Sequence, residues 1–154
     1  MILVSCNGAS VFERGGYTRV SGESIYLGGE TVFFIVRGGT AVYRLSFPYI
    51  DGMDVGIVVK GGFEGGGGFK SMAWIWDWRR GNRYRSFDDP GWSSLGRIRG
   101  EERQLFLVDR RFIKFKPSDQ DKRVGTGEIF FKVWVEPSTG GECFRIDQVE
   151  VHSL

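Results

Sequence analysis

The chain of 154 residues contains little histidine, cysteine or proline, and few of the residue patterns that mark targeted or metal-binding proteins. Its single histidine, His152, disfavours a His-based metal site. The two cysteines, Cys6 and Cys143, lie far apart and lack the close spacing of a zinc site. No apolar run approaches the ~20 residues of a membrane helix. The opening ten residues also lack the basic region and apolar length of a signal peptide.

We therefore expect no membrane partner. We expect the chain to be intracellular, part of a particle assembled inside cells, or a domain of a larger protein. A hydrophobic content of 41% with 13 Phe excludes a disordered chain. The length predicts one domain, residues 1–154. The net charge of +2 is too small to predict a partner. Few Asn and Gln beside many charged residues are typical of thermophilic proteins.

Glycine pairs separate short runs that are rich in β-branched and aromatic residues. These pairs predict turns, because glycine adopts positive φ without strain; they occur at 15–16, 28–29, 38–39, 61–62 and 140–141. The turn signals recur every ~8–12 residues, which is typical of a sandwich or barrel. We predict an all-β fold whose strands fall in 30–37, 40–47, 53–60, 69–78, 103–108, 110–116, 128–136 and 142–151. The least strand-like segment, 81–102, is predicted to be a long excursion on one rim, where binding residues often collect.

Alternation within these runs predicts which side chains are buried. Two sets belong to the core: Tyr43, Leu45 and Phe47 in one run, and Ile129, Phe131, Val133 and Val135 in another. The last run changes phase near Asp147, because Phe144 and Ile146 share one face and Val149 and Val151 the other. Such a change predicts a bulge or twist at Asp147.

The order of short motifs resembles the jelly-roll carbohydrate-binding modules with a galactose-binding-like fold. The opening N-G-x-F-E-x-G of that family is matched, with two extra residues, by Asn7, Gly8, Phe12, Glu13 and Gly15. Three further elements of the family also have counterparts. Its middle strand matches Tyr43–Phe47, and its penultimate element matches Ile113–Pro117 followed by Ile129–Val135. Its closing strand, F-x-I-D-x-V-x-V, matches Phe144–Val151. The resemblance implies a two-sheet antiparallel β-sandwich of jelly-roll type that binds glycan chains without catalysis.

The resemblance also implies two features at the ends of the chain. A structural Ca²⁺ is expected at Glu13 and Asp147, with loop carbonyls completing its oxygen shell. An arginine is the alternative cation for these carboxylates. Because the first and last strands of such a fold are neighbours, Cys6 and Cys143 are expected to form a disulfide.

Aromatic residues are the candidates for ligand binding, because the flat CH face of a sugar stacks on an aromatic ring. Trp74, Trp76 and Trp78 share one face of their run. The alternative is that this face is buried, with Ser71, Ala73 and Asp77 outward. Phe130 and Trp134 lie on a charged strand face, where packing under a loop or against another subunit is the alternative. Tyr84 and Trp92 lie in the irregular segment.

Other functions are disfavoured by the sequence. FEGGGGFKS (63–71) departs from a phosphate-binding loop and precedes a strand, not a helix. Arginines mixed with aromatics at 76–87 fit a solvated hairpin, and the low net charge argues against a nucleic-acid partner. No nucleophile has a plausible His partner, so we expect no enzyme. The rival function is a structural or assembly protein, such as a virion component that self-associates through a jelly roll.

Overall fold

Runs rich in β-branched and aromatic residues form ten strands in the described part of the chain, as their composition predicts. A computed structural model describes the backbone of residues 17–21, 25–65, 68–85, 88–100 and 102–154, and the side chains of these residues from 35 on except 36. The strands are β1 (Tyr17–Ser21), β2 (Ile25–Val36), β3 (Thr40–Ile50), β4 (Val55–Glu64), β5 (Ser71–Trp76), β6 (Trp92–Arg97), β7 (Gln104–Val108), β8 (Lys114–Pro117), β9 (Val124–Val135) and β10 (Cys143–Ser153). Two short 3₁₀ turns, Trp78–Arg80 and Arg110–Phe112, follow β5 and β7.

The strands form two sheets whose order is that of a jelly roll. The six-stranded sheet has the order β1-β3-β9-β5-β6, with β8 also paired to β9, and the four-stranded sheet has the order β2-β10-β4-β7. The pairs are antiparallel except that β1 runs parallel to β3. Without β1 and β8, the remaining eight strands pair first with last, second with seventh, third with sixth, and fourth with fifth. The predicted all-β sandwich of jelly-roll type is therefore confirmed.

The main core lies between the two sheets and is built from alternate residues of each strand. Both predicted inward sets are buried in it: Tyr43, Leu45, Phe47, Ile129, Phe131, Val133 and Val135. The four-stranded sheet contributes the facing side chains, among them Ile57, Val59, Phe106 and Phe144. The faces predicted from alternation in β3 and β9 are thus confirmed.

A β-bulge at Asp147 explains the change of phase in the last strand. The pairing of β10 with both β2 and β4 shifts between Ile146 and Gln148. The extra residue lets Ile146 before the bulge and Val149 after it both point into the main core. The predicted bulge is confirmed.

Two of the glycine pairs lie within strands, and their prediction as turns is wrong. Residues 28–29 belong to β2 and residues 61–62 to β4. At Gly61 the reason is a close approach of backbone, because a Cβ added there would lie 2.3 Å from the Arg145 carbonyl oxygen. Gly61 pairs with Ile146, immediately before the bulge, where the bent strand leaves no room for a side chain.

The sequence pattern does not predict β6, which lies inside the segment 81–102. Its sequence, WSSLGR, has little β-branched character and contains a glycine. The strand is added to the sheet edge by pairing with β5. None of the helical turns in the described ranges is long and apolar enough to cross a membrane.

Candidate functional site

The tryptophan row of β5 lies on the outer face of the six-stranded sheet. Ala73 and Ile75 are fully buried in the main core, and Ile75 pairs with Phe131 of the inward set. Because side chains alternate along a strand, Trp74 and Trp76 point away from that core. The alternative of a buried tryptophan face is wrong in its outward set, because Ser71, Ala73 and Asp77 are all buried. Its expectation of a buried tryptophan holds for Trp76.

A loop, described at residues 77–85 and 88–91, folds over this outer face. The Asp77 carboxylate accepts a hydrogen bond from the Arg79 backbone N–H at 3.0 Å and caps the 3₁₀ turn. The Asp77 N–H donates to the Gly91 carbonyl at 2.9 Å, which closes the base of the loop. The Trp76 indole Nε1–H donates to the Gly81 carbonyl at 3.0 Å. Trp76 is consequently 1% exposed although it lies outside the main core.

The loop and the sheet enclose a second hydrophobic cluster that contains six of the seven predicted ligand residues. We call it the outer aromatic cluster: Trp74, Trp76, Trp78, Tyr84, Trp92 and Phe130. Neighbouring rings lie edge-on or tilted, with centroids 5.4 Å apart for Trp76 and Trp92, and 4.8 Å apart for Trp78 and Phe130. Trp76, Trp92 and Phe130 are buried, so their ring faces are used within the protein. The half-buried rings of Trp74, Trp78 and Tyr84 remain at the surface of the cluster.

Lys132 lies between two tryptophans of this cluster. Its Nζ is 4.9 Å from the Trp74 ring centroid and 4.8 Å from the Trp92 ring centroid, and the residue is 7% exposed. Burial lowers the pKa of Lys132 to about 8, and the charge of Asp88 opposes that shift. The two cation–π contacts take the place of water around the buried ammonium group. Lys132 therefore acts as a fixed part of the cluster.

Trp134 lies two residues beyond Lys132 on the same strand face. It pairs with Met72 on one side and Thr40 on the other, and it is half-buried. Among the described residues it is not a member of the outer aromatic cluster. The structure thus separates Trp134 from the other six predicted ligand residues.

A polar cleft adjoins the outer aromatic cluster on the same face. Strands β3, β9 and β8 run side by side here, so Ser46, Glu128 and Lys114 lie in one cross-strand row. Two depressions of about 370 and 430 Å³ share Arg44, Lys114 and Glu128. We call the two together the basic cleft, bounded by Arg44, Arg83, Lys114, Lys116, Glu128 and the rings of Tyr84 and Phe130.

Among the described residues, the basic cleft carries four cationic side chains and one carboxylate. Arg44 Nε donates to Glu128 Oε2 at 2.8 Å. Lys114 Nζ donates to Asn82 Oδ1 at 3.3 Å and lies 5.2 Å from the Trp78 ring centroid. The Trp78 indole is itself fixed, because its Nε1–H donates to the Phe112 carbonyl at 3.0 Å. Hydrogen-bonding groups and aromatic rings are therefore held together on strands and on a tied loop.

The predicted calcium residues are only partly within the described chain. Both carboxylate oxygens of Asp147 accept hydrogen bonds from Arg145, at 2.6 and 3.1 Å, and Arg145 also forms an ion pair with Glu64. No group of three or more His, Cys, Asp or Glu suited to a metal ion occurs in the ranges that the structure describes. In the described part of the chain the cation beside Asp147 is thus Arg145, as the arginine alternative expects. Glu13 lies outside the described residues, and a site that includes it stays a prediction.

The predicted disulfide also has one end outside the described chain. Cys143, at the start of β10, is fully buried and disulfide-bonded. Cys6 lies outside the described residues. The pairing of Cys6 with Cys143 therefore stays a prediction.

Comparisons with protein-family models and with curated protein sequences gave no match. The resemblance to carbohydrate-binding modules is thus supported at the level of the β-sandwich architecture and not by a matching family.

Sequence reasoning missed the basic cleft as a site. The alternation in β3 and β9 does place Arg44 and Glu128 on the outward face with Phe130, and that was the available signal. It could not show that β8 would add Lys114 and Lys116 beside them, because that depends on which strands are neighbours. The cleft is a product of strand order and register.

Proposed function

We propose that this chain is a non-catalytic glycan-binding protein whose ligand lies in the basic cleft, against the ring of Tyr84 at the surface of the outer aromatic cluster. The observation that carries the proposal is the position of Tyr84. Its half-buried ring lines the depression of about 430 Å³ together with charged and amide side chains. A sugar needs this combination, because its CH face stacks on a ring while its hydroxyls require hydrogen-bonding partners.

The cleft supplies such partners beyond its charged groups. Ser46 and Thr126 contribute hydroxyls on neighbouring strands, and Asn82 contributes an amide from the covering loop. Hydroxyls both donate and accept hydrogen bonds, as sugar hydroxyls do. The Tyr84 ring contacts Phe130 edge-on at 5.7 Å, which supports it from behind. A preformed arrangement of this kind lowers the entropic cost of binding.

The test compares two substitutions of the same residue. A glycan array identifies bound glycans, and calorimetry with the best one measures affinity for wild type, Tyr84→Ala and Tyr84→Phe. If stacking carries the binding, Tyr84→Ala weakens affinity by about tenfold or more, whereas Tyr84→Phe keeps the ring and stays near wild type. Trp134→Ala is the matched control on the same face outside the cleft. Binding that is unchanged in Tyr84→Ala, or no bound glycan on the array, contradicts the proposal.

A second candidate function, subunit assembly, is favoured by a separate observation. Strand β7 is the last described strand of the four-stranded sheet, and Leu105 and Leu107 on it are 49% and 68% exposed. An exposed apolar strand at a sheet edge is a template for pairing with another chain. Under this alternative the chain forms oligomers that Leu107→Lys dissociates, as measured by size-exclusion chromatography with light scattering. A monomeric wild type contradicts this second candidate.

A further inference from the structure

We propose that the glycan bound in the basic cleft is anionic, and that Lys114 and Lys116 hold its negatively charged groups. This inference rests on the proposed function, because it names the class of sugar that the same cleft takes. The inference follows from the charge of the cleft, the positions of its lysines and the aromatic rings that line it.

The charge of the cleft is local and is not a property of the whole chain. The formal net charge of the protein is only +2, yet the described residues that line the cleft supply four cationic side chains against the single carboxylate of Glu128. That carboxylate already accepts a hydrogen bond from Arg44. Cations held near one another repel, and an anionic ligand relieves that repulsion. A neutral glycan would leave it in place.

Two lysines are placed to bind anionic groups in succession. Lys114 and Lys116 are exposed and two residues apart on β8, so their side chains share one face about 6.6 Å apart along the strand. Lys114 is held in place by its hydrogen bond to Asn82 and by its contact with the Trp78 ring. Lys116 lines the depression that also contains the hydroxyls of Ser46 and Thr126. Each lysine thus lies beside a polar residue of β9, since Lys114 pairs with Glu128 and Lys116 with Thr126.

The aromatic lining of the cleft favours a glycan over a single-stranded nucleic acid. Nucleic-acid grooves of this type stack successive bases on several exposed aromatic faces. Of the two rings that line the basic cleft in the described chain, Phe130 is 8% exposed and Tyr84 is half-buried. This leaves one stacking surface beside hydroxyl and amide groups. One ring with several polar partners suits a sugar residue that bears an acidic substituent.

The experiment compares pairs of probes that share a sugar backbone and differ in whether it carries charge. Polygalacturonate is compared with its methyl ester, and dextran sulfate with dextran, alongside an array of sulfated, uronate-containing and neutral glycans. Affinities are measured by biolayer interferometry at about 50 mM and about 500 mM NaCl, because salt screens exposed charges. We expect the charged member of a pair to bind about tenfold more tightly at low salt and to lose most of that advantage at high salt.

Three variants of the full chain locate the effect. Lys114→Gln with Lys116→Gln should abolish the preference for the charged probe. Glu128→Gln, which removes the only carboxylate lining the cleft among the described residues, should strengthen binding of the charged probe. The control is Lys60→Gln with Lys70→Gln, which removes the same charge from two exposed lysines outside the cleft. Thermal melts confirm that each variant is folded.

The outcomes separate this inference from the proposed function. A preference that disappears in the cleft variant and persists in the control supports both. Equal binding of the charged and neutral probes overturns the anionic specificity and leaves glycan binding standing. Binding to no glycan of either kind overturns both. An equal loss in the Lys60 and Lys70 control, or tighter binding of a single-stranded oligothymidine with the same variant sensitivity, also overturns the inference.

Discussion

Removing the Trp76 ring should destabilise the fold strongly, although this ring lies outside the main core. Trp76 is 1% exposed, its centroid lies 5.4 Å from that of Trp92 and 6.3 Å from that of Tyr84, and its indole N–H satisfies the Gly81 carbonyl. Trp76→Ala deletes the ring and leaves that carbonyl without its donor. Large-to-small substitutions of buried aromatics cost about 3–5 kcal/mol. For a chain of this size that corresponds to a fall in melting temperature of roughly 6–20 °C.

Urea unfolding followed by circular dichroism measures the free energy of unfolding, and Trp134→Ala is the control. Trp134 is half-buried and lies outside the cluster, so its loss should cost clearly less. If Trp76→Ala unfolds within ~0.5 kcal/mol of wild type, as exposed positions do, the loop does not cover this ring and the proposed geometry of the cluster is refuted.

A second substitution tests the contact between the loop and the ring directly. A Cβ added at Gly91 would lie 2.5 Å from Trp76 Cη2, so Gly91→Ala forces the loop away from the sheet. Overpacking of this kind costs about 1–3 kcal/mol. In a Trp76→Phe background the clashing edge of the indole is absent, so the same substitution should cost less. If the free-energy costs of the two substitutions simply add in the double-mutant cycle, the contact is contradicted, because residues in contact show an interaction energy.

Lys132→Met should remove a pH dependence of stability. The pKa of Lys132 is about 8 in the folded protein and 10.5 normally, so the unfolded chain binds more protons between these pH values. The free energy of unfolding of wild type should therefore rise relative to that of the variant as pH rises through this range, by at most about 3 kcal/mol. Urea unfolding across this pH range checks it, and a constant difference counts against it. Asp77→Ala should lose the cap of the 3₁₀ turn, at about 0.5–2 kcal/mol. The hydrogen bond from Arg79 lowers the pKa of Asp77 to about 2. Wild type should therefore melt at a higher temperature than Asp77→Ala above pH ~4, and this difference should vanish as pH falls through about 2. Reduction should lower the melting temperature because Cys143 is disulfide-bonded. The free energy of unfolding should fall by up to ~5 kcal/mol if the partner is Cys6. A peptide map without reductant identifies that partner, and an unchanged melt after complete reduction speaks against a stabilising bond.

Local alternation predicted much of the fold. The inward faces of β3 and β9 followed from regular alternation of apolar with polar residues, since a strand with one polar face has one favourable orientation. The bulge at Asp147 followed from a break in that alternation, because a period of two cannot change phase without an extra residue. The glycine pairs at 38–39 and 140–141 lie between strands as predicted, whereas 28–29 and 61–62 lie within strands. At Gly61 the requirement was space and not a turn.

The orientation of β5 could not be predicted in the same way, because both of its faces are largely apolar. Pairing with β9 decided it: Ile75 lies beside the inward Phe131, and Trp74 lies beside the outward Lys132. Burial of Trp76 was also beyond local pattern, since the loop that covers it is polar in sequence and is closed by a hydrogen bond from Asp77.

The sequence by itself determined the fold class, the core faces of the regular strands and the bulge at Asp147. These follow from periodicity, which is a local property of the chain. The tertiary structure alone decided which aromatic rings remain exposed, and it placed Lys114 and Lys116 of β8 beside Arg44 of β3 and Glu128 of β9. Strand order and register set these neighbours, and both depend on contacts between residues far apart in sequence.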